Sequence, residues 1–371
     1  MSAAVSNAGR ELPCSQGGRS GRKHRERTER KDRAKLFEQL REGRTQPKSV
    51  AEIVALLCEG NRKFNVKEGT LLIVAARRVL LWQSAISIMR DMQSRTLSLS
   101  AISYNAVIST CEKGGLWGRA FDVFADMRNS GVEPTVITHS SLISACEKGN
   151  QWQRALWLVG AMQKTTSTPN AFSYNGATSA CATVGRWEVT LALLVEMTAK
   201  VVEVDIISYS GAISACEKGE RQWWRAVCLL VGMRQRGIRA NIVSHSSFLS
   251  ACEKGGQWER ALEALRGAAA WSLKPNVFTF NGAIAACSVG GHWENSMSVL
   301  LDLQERGLDF DVMSYNGAIS ACEKAERWAK SLRLLLDLGS LGLGPDVISC
   351  SGVVSACRGG DRWRRALGLL A

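Results

Sequence analysis

Residues 312–324 read Val-Met-Ser-Tyr-Asn-Gly-Ala-Ile-Ser-Ala-Cys-Glu-Lys. Tyr315, Ile319 and Cys322 fall at i, i+4 and i+7, the spacing of one face of a helix. Ser314 stands where a helix-starting cap is expected. The stretch recurs along the chain. Cys111, Cys146, Cys181, Cys216, Cys252, Cys287, Cys322 and Cys357 follow at intervals of 35, with one step of 36. Trp82, Trp117, Trp152, Trp187, Trp224, Trp258, Trp293, Trp328 and Trp363 keep the same beat except around Trp224, which places one extra residue between Gly219 and Trp224. A fixed period of this length means a repeat array, and it displaces the two or three globular domains that 371 residues would otherwise suggest.

Full repeats then span 101–135, 136–170, 171–205, 206–241, 242–276, 277–311 and 312–346, with a truncated eighth at 347–371 and a degenerate one at 66–100. Each reads as two helices. Trp117, Ala120, Phe121, Phe124 and Met127 form the apolar stripe of a second helix, and Gly131 with Pro134 stops it. Gly114, Gly149, Gly219 and Gly255 are expected to end the first helices in a left-handed cap. A lone hairpin of this kind cannot bury its face, but stacked hairpins can. The expected fold is all-α, a right-handed α-solenoid whose first helices line one face.

Composition narrows the function. The chain is 46% hydrophobic, enough for a core, and has no apolar run of 18 residues, so neither wholesale disorder nor a membrane-spanning helix is expected. Each repeat supplies one Cys, with no C-x-x-C and no paired His, so the thiols read as buried and reduced and not as zinc ligands or disulfides. The net charge of +13 divides into +7 over residues 1–65 and +6 over the other 306. The first 65 residues read as a basic extension without a core of its own. Its densest part, 21–35, fits a nucleic-acid arm, a nuclear-import patch, an organelle-targeting segment or a solvated tail.

The motif at 312–324, the 35-residue period, the Ala-Leu-rich second helix and the Gly-x-x-Pro-Asp/Asn ending together resemble the pentatricopeptide repeat family. The resemblance covers about 101–371 and, more weakly, 66–100. It implies binding of single-stranded RNA, one base per repeat. In that family the fifth and last residues of a repeat form the reading pair. Here these are Asn105 with Thr135, Ser140 with Asn170, Asn175 with Asp205, Ser210 with Asn241, Ser246 with Asn276, Asn281 with Asp311, and Asn316 with Asp346. The second residue, expected to wedge between bases, is Ile102, Ile137, Phe172, Ile207, Val243, Phe278 or Met313. Carried over by resemblance, the pairs imply the core 5′-Y-A-U-A-A-U-U-3′. Lys113, Lys148, Lys218, Lys254 and Lys324 recur near the end of the first helix, where they meet either phosphates or that helix's negative end.

No catalytic constellation, metal or cofactor motif is visible, and the combination of H-x-E with P-C-x-x-C that a zinc deaminase needs is missing. The expectation is a binding protein and not an enzyme: an adaptor in organellar RNA processing, stability, translation or editing, which recruits any enzyme in trans. A protein-interaction scaffold using the same groove is the competing reading, an inactive member of a duplicated family a third, and a carboxy-terminal module beyond Ala371 is left open. The family resemblance points to a mitochondrion or plastid. A fluorescent fusion of residues 1–65 is therefore expected to enter an organelle, and retention in the cytosol would remove that assignment.

Overall fold

The computed structural model describes residues 37–38, 40, 50–52, 54, 65–95, 97–165, 168–219, 222–268, 274–308 and 311–357. Among them every regular element is a helix: α1 (Val66–Val79), α2 (Trp82–Ser94), α3 (Ala101–Lys113), α4 (Trp117–Asn129), α5 (Val136–Lys148), α6 (Trp152–Lys164), α7 (Ala171–Thr183), α8 (Trp187–Ala199), α9 (Ile206–Lys218), α10 (Trp223–Gln235), α11 (Ile242–Lys254), α12 (Trp258–Gly267), α13 (Val277–Val289), α14 (Trp293–Glu305), α15 (Val312–Lys324), α16 (Trp328–Ser340) and α17 (Val347–Ala356). None of these is long and apolar enough to cross a membrane. Trp363 and the rest of 358–371 lie outside the described residues, as does most of 1–65. Within that extension Leu40, Val50 and Val54 are nevertheless helical and buried, and Arg78 donates to the Leu40 carbonyl at 3.5 Å.

The chain divides into two compact units, one ending at Pro134 and one beginning at Thr135. The first holds two hairpins, α1–α2 and α3–α4, with α1 packed on α3. Here Gln93 donates to the buried Tyr104 hydroxyl at 3.3 Å. The second unit stacks its odd-numbered helices α5 to α17 in sequence order, each against the next, while each even-numbered helix packs on its own partner and on the following odd one. This is the α-solenoid arrangement: every hairpin buries its apolar stripe between neighbours. Phe280, Ile284, Leu303, Tyr315, Ile319 and Leu338 show the result, one continuous core crossing from repeat to repeat.

Small residues set the spacing of the odd helices. A Cβ at Gly317 would stand 2.7 Å from Ile284 Cγ2, and one at Gly176 would stand 2.8 Å from Ile143 Cγ2. Glycine at the sixth position of a repeat lets the preceding helix close in to that distance.

Three details correct the sequence reading. The cap of α15 is Asp311, not Ser314. Asp311 is extended (φ −113°) and accepts from the Ser314 N–H at 2.9 Å, while Ser314 lies inside the first turn with a buried side chain. Gly114, Gly149, Gly219 and Gly255 all have negative φ. The left-handed position is one residue later, at Gly115, Asn150 and Gly256, and it lets the N–H of Gln151 and Gln257 reach back to Cys146 and Cys252 at 2.8 Å. Gly219 and Gly255 serve another end: a Cβ there would lie 2.5 Å from Cδ1 of Trp187 and Trp223 respectively. That contact also corrects the register, because Trp223 and not Trp224 opens α10. Trp223 is followed by the buried Ala226, Leu230 and Met233 at the spacing of Trp117, Ala120, Phe124 and Met127, while Trp224 is half exposed. Stacking against the next repeat selects which of two adjacent tryptophans holds the position.

Val201 ends α8 at φ 57°, where the equivalent residues Gly131, Gly237 and Gly342 are glycines. A β-branched residue is strained there, so Val201→Gly is expected to raise stability by roughly 0.5–1 kcal/mol in denaturant unfolding. Gly317→Val should lower it by about 1–3 kcal/mol through overpacking against Ile284. A destabilised Val201→Gly or an unaffected Gly317→Val would contradict these assignments.

Candidate nucleic-acid interface

The last residue of each repeat caps the first helix of the next. Asn170, Asp205, Asn241, Asn276, Asp311 and Asp346 accept from the backbone N–H three residues on, at 2.7–3.1 Å, and Thr135 does so at 3.3 Å. A short side-chain acceptor is needed for that, which is why only Thr, Asn and Asp occupy these places in the seven full repeats. The three aspartates among them also meet the fifth residue of their own repeat. Asn175 Nδ2 donates to both carboxylate oxygens of Asp205 at 3.1 and 3.0 Å. Asn281 meets Asp311 at 3.1 and 3.5 Å, and Asn316 meets Asp346 at 3.2 and 3.0 Å. The two oxygens of one carboxylate lie close enough to share one amide hydrogen, which leaves the second for an outside acceptor.

A third group completes each of these pairs, and sequence reasoning missed it. The hydroxyls of Ser208, Ser314 and Ser349 stand 2.6 Å from Oδ1 of Asn175, Asn281 and Asn316, and also within 2.9 Å of the capping carboxylate. Each has one proton, which goes to one acceptor at a time. These serines are buried, so the Asn amide is oriented by a rigid group of the following repeat. The available signal was that the third position is always Ser or Thr, from Ser103 to Ser349.

The Ser–Asn pairs are less uniform. Ser210 Oγ stands 3.4 Å from Asn241 Oδ1 but donates to the Ile206 carbonyl at 2.6 Å. Ser140 pairs with Ser173 at 3.3 Å, and Ser246 donates to the Val243 carbonyl at 3.0 Å, so neither bonds to Asn170 or Asn276. Asn105, half-buried on α3, and Thr135, the cap of α5, belong to different compact units. In the first unit Thr70, fifth in its repeat, bonds to Ser103 at 2.9 Å, the same link that Ser140 makes to Ser173.

Ile102, Ile137, Phe172, Ile207, Val243, Phe278 and Met313 are all exposed, from 51% at Val243 to 79% at Phe278. Large apolar side chains held in water at every equivalent position mark a contact surface. Between α9, α11, α13 and α15 the second-position Phe278 and Met313 and the fifth-position Ser246 and Asn281 line a cavity of about 390 Å³, with Glu217 and Glu253 at its wall. Lys113, Lys148, Lys218, Lys254 and Lys324 are exposed in the last turns of their helices. Lys254 is 3.4 Å from Glu217 Oε1 and donates to the Glu217 carbonyl at 3.2 Å.

Burial works against the Asp311 carboxylate, but hydrogen bonds from Ser314 and Asn281 outweigh it and hold its carboxyl below the usual range. The Ser349 hydroxyl and N–H do the same for Asp346. Burial pushes the Cys thiols up to about 11, and Cys252 to about 12, so they are poor nucleophiles and poor metal ligands.

Three junctions of the second unit thus display a bonded Asn–Asp pair, and the second position of each full repeat is an exposed apolar side chain. In sequence, residues 99–148 match the PPR repeat family, 228–289 the pentatricopeptide repeat domain, and 137–164 and 278–308 the PPR repeat. Over these stretches the chain carries pentatricopeptide repeats. No curated protein resembles the sequence closely enough to count as a relative. Among solved structures the chain is similar to the pentatricopeptide repeat protein PPR10 in complex with an 18-nt psaJ RNA element (18% identity, 86% of this chain, 57% of that one, TM-score 0.49). It is also similar to yeast Rmd9p in complex with a 16-nt target RNA (11% identity, 89% and 84%, TM-score 0.47) and to the PPR domain of Arabidopsis thaliana protein-only RNase P 1 in complex with tRNA (13% identity, 48% and 94%, TM-score 0.43). The chain spans 57% of the length of PPR10.

His139 and His245 fill the place that Tyr174 and Tyr315 hold in other repeats, and all four are buried. Burial pushes both imidazoles down, opposed by hydrogen bonds to the Thr135 and Ala264 carbonyls. With folded values below the ordinary one of about 6.5, the neutral rings stabilise the fold above that pH. As pH falls through it, the unfolded chain takes up protons that the folded chain refuses, and stability drops. His139→Phe with His245→Phe should flatten the loss between roughly pH 7.5 and 5.5 in thermal unfolding; an unchanged slope would place its origin elsewhere.

Proposed function

We propose that this protein binds single-stranded RNA sequence-specifically, one base per repeat, along the face formed by its first helices. The observation that carries the reading is the Asn–Asp pair with its buried serine, at Asn175, Asn281 and Asn316. Three groups fix one amide beside an exposed apolar side chain, which is the arrangement needed to test the edge of a base stacked against that side chain. By family resemblance Asn with Asp reads uracil and Ser with Asn reads adenine, giving 5′-Y-A-U-A-A-U-U-3′. The protein acts by binding, as an adaptor that shields organellar transcripts or recruits a processing or editing enzyme to them, and carries out no chemistry itself.

The full chain is expected to bind an oligomer with this core at least ~10-fold more tightly than one with its A and U positions exchanged, on the order of the 1–3 kcal/mol that one base contact discriminates. Joint Asn316→Ser and Asp346→Asn substitution should move the preference at the last position from U toward A. Affinity should fall with salt at a slope of roughly −0.7 per phosphate neutralised. Equal affinity for both oligomers would remove the base-reading function and leave the groove as a protein-interaction surface.

A further inference from the structure

The first helices of the seven full repeats carry no net charge, although the chain as a whole is +13. In α3, α5, α9, α11 and α15 one lysine is directly preceded by one glutamate: Glu112, Glu147, Glu217, Glu253 and Glu323. In α7 and α13 the corresponding residues are Ala182-Thr183 and Ser288-Val289, and both charges are missing together. Lysines kept only to meet phosphates would need no such companion.

The glutamates also stand in the path of a ligand. Position 12 of a repeat lies seven residues, about two turns, beyond position 5 and so on the same stripe of the helix. Glu217 and Glu253 line the cavity that holds Ser246, Phe278, Asn281 and Met313. Glu217 pairs with Lys254 of the next repeat at 3.4 Å, and Glu147 accepts from Ser179, also one repeat on, at 2.6 Å. Burial, helped by Glu217, pushes the half-buried Glu253 carboxyl up, and Lys254 and Lys324 oppose it. At Lys254 the Glu217 carboxylate occupies the lysine, and a phosphate has to displace it.

We propose that the glutamates at position 12 are specificity determinants: they cancel the groove's attraction for polyanions in general, so that only a strand matched to the reading pairs is held. Wrong partners are excluded by like charge, and the right one regains through base contacts what it loses in phosphate attraction. This rests on the base-reading function proposed above.

The test uses the full chain with Glu217→Gln, Glu253→Gln and Glu323→Gln combined. The control removes three carboxylates from exposed positions at the start of second helices, Glu188→Gln, Glu259→Gln and Glu294→Gln. Each protein is titrated with the 5′-YAUAAUU oligomer, a scrambled RNA of the same composition, and single-stranded DNA, at several salt concentrations. The groove variant should bind scrambled RNA and DNA at least ~10-fold more tightly than the control does, with a smaller ratio of matched to scrambled affinity and a steeper salt dependence. Groove and control variants changing alike, or an unchanged affinity of the groove variant for scrambled RNA, would overturn the role of the glutamates. Should the unsubstituted protein not distinguish matched from scrambled RNA, base reading fails. The rise in scrambled-RNA and DNA affinity of the groove variant over the control then still decides whether the glutamates repel polyanions.

Discussion

Each first helix begins on a side chain that belongs to the repeat before it. That cap satisfies an N–H that would otherwise have no partner, a contribution of about 0.5–2 kcal/mol per helix. In Asp205, Asp311 and Asp346 the same carboxylate also holds the fifth residue of its own repeat, while a serine of the next repeat holds both. The start of one helix and the fifth side chain of the preceding repeat are therefore coupled at one atom group. A substitution there changes both, which restricts the usable residues to a few short polar ones.

Two further constraints let such junctions repeat. Glycine at Gly176, Gly211, Gly282, Gly317 and Gly352 admits the side chain of the preceding first helix. The tryptophans opening α6, α8, α10, α12 and α14 pack near the end of the next first helix, with Gly219 against Trp187, Gly255 against Trp223, Arg186 over Trp152, Arg327 over Trp293 and His292 stacked on Trp258. One sets the spacing of the odd helices and the other the approach of the hairpins, so the polar pairs arrive at a regular interval without contributing to the core themselves.

The surface that results is apolar and neutral where nucleic-acid-binding faces are commonly basic. Phe172, Phe278 and Met313 are exposed along it, and each lysine at the end of these helices follows a glutamate. Much of the chain's positive charge belongs instead to the first 65 residues and to second helices such as α10 and α16.

The sequence by itself determined the period, the helical hairpin and the apolar second position. All of these are local patterns repeated many times, and repetition makes a weak pattern legible. What depends on contact between repeats was decided only by the tertiary structure. Trp223 and Trp224 are chemically alike, and only the packing of Gly255 against one of them tells which is structural. Ser314 looks like a cap until Asp311 is seen to reach its N–H, because a cap is defined by backbone direction and not by residue type. Gly219 looks like a left-handed turn until the Trp187 ring is found against it. The buried hydroxyls that orient Asn175, Asn281 and Asn316 lie 33 residues further along the chain, a distance that helical periodicity does not span and stacking does.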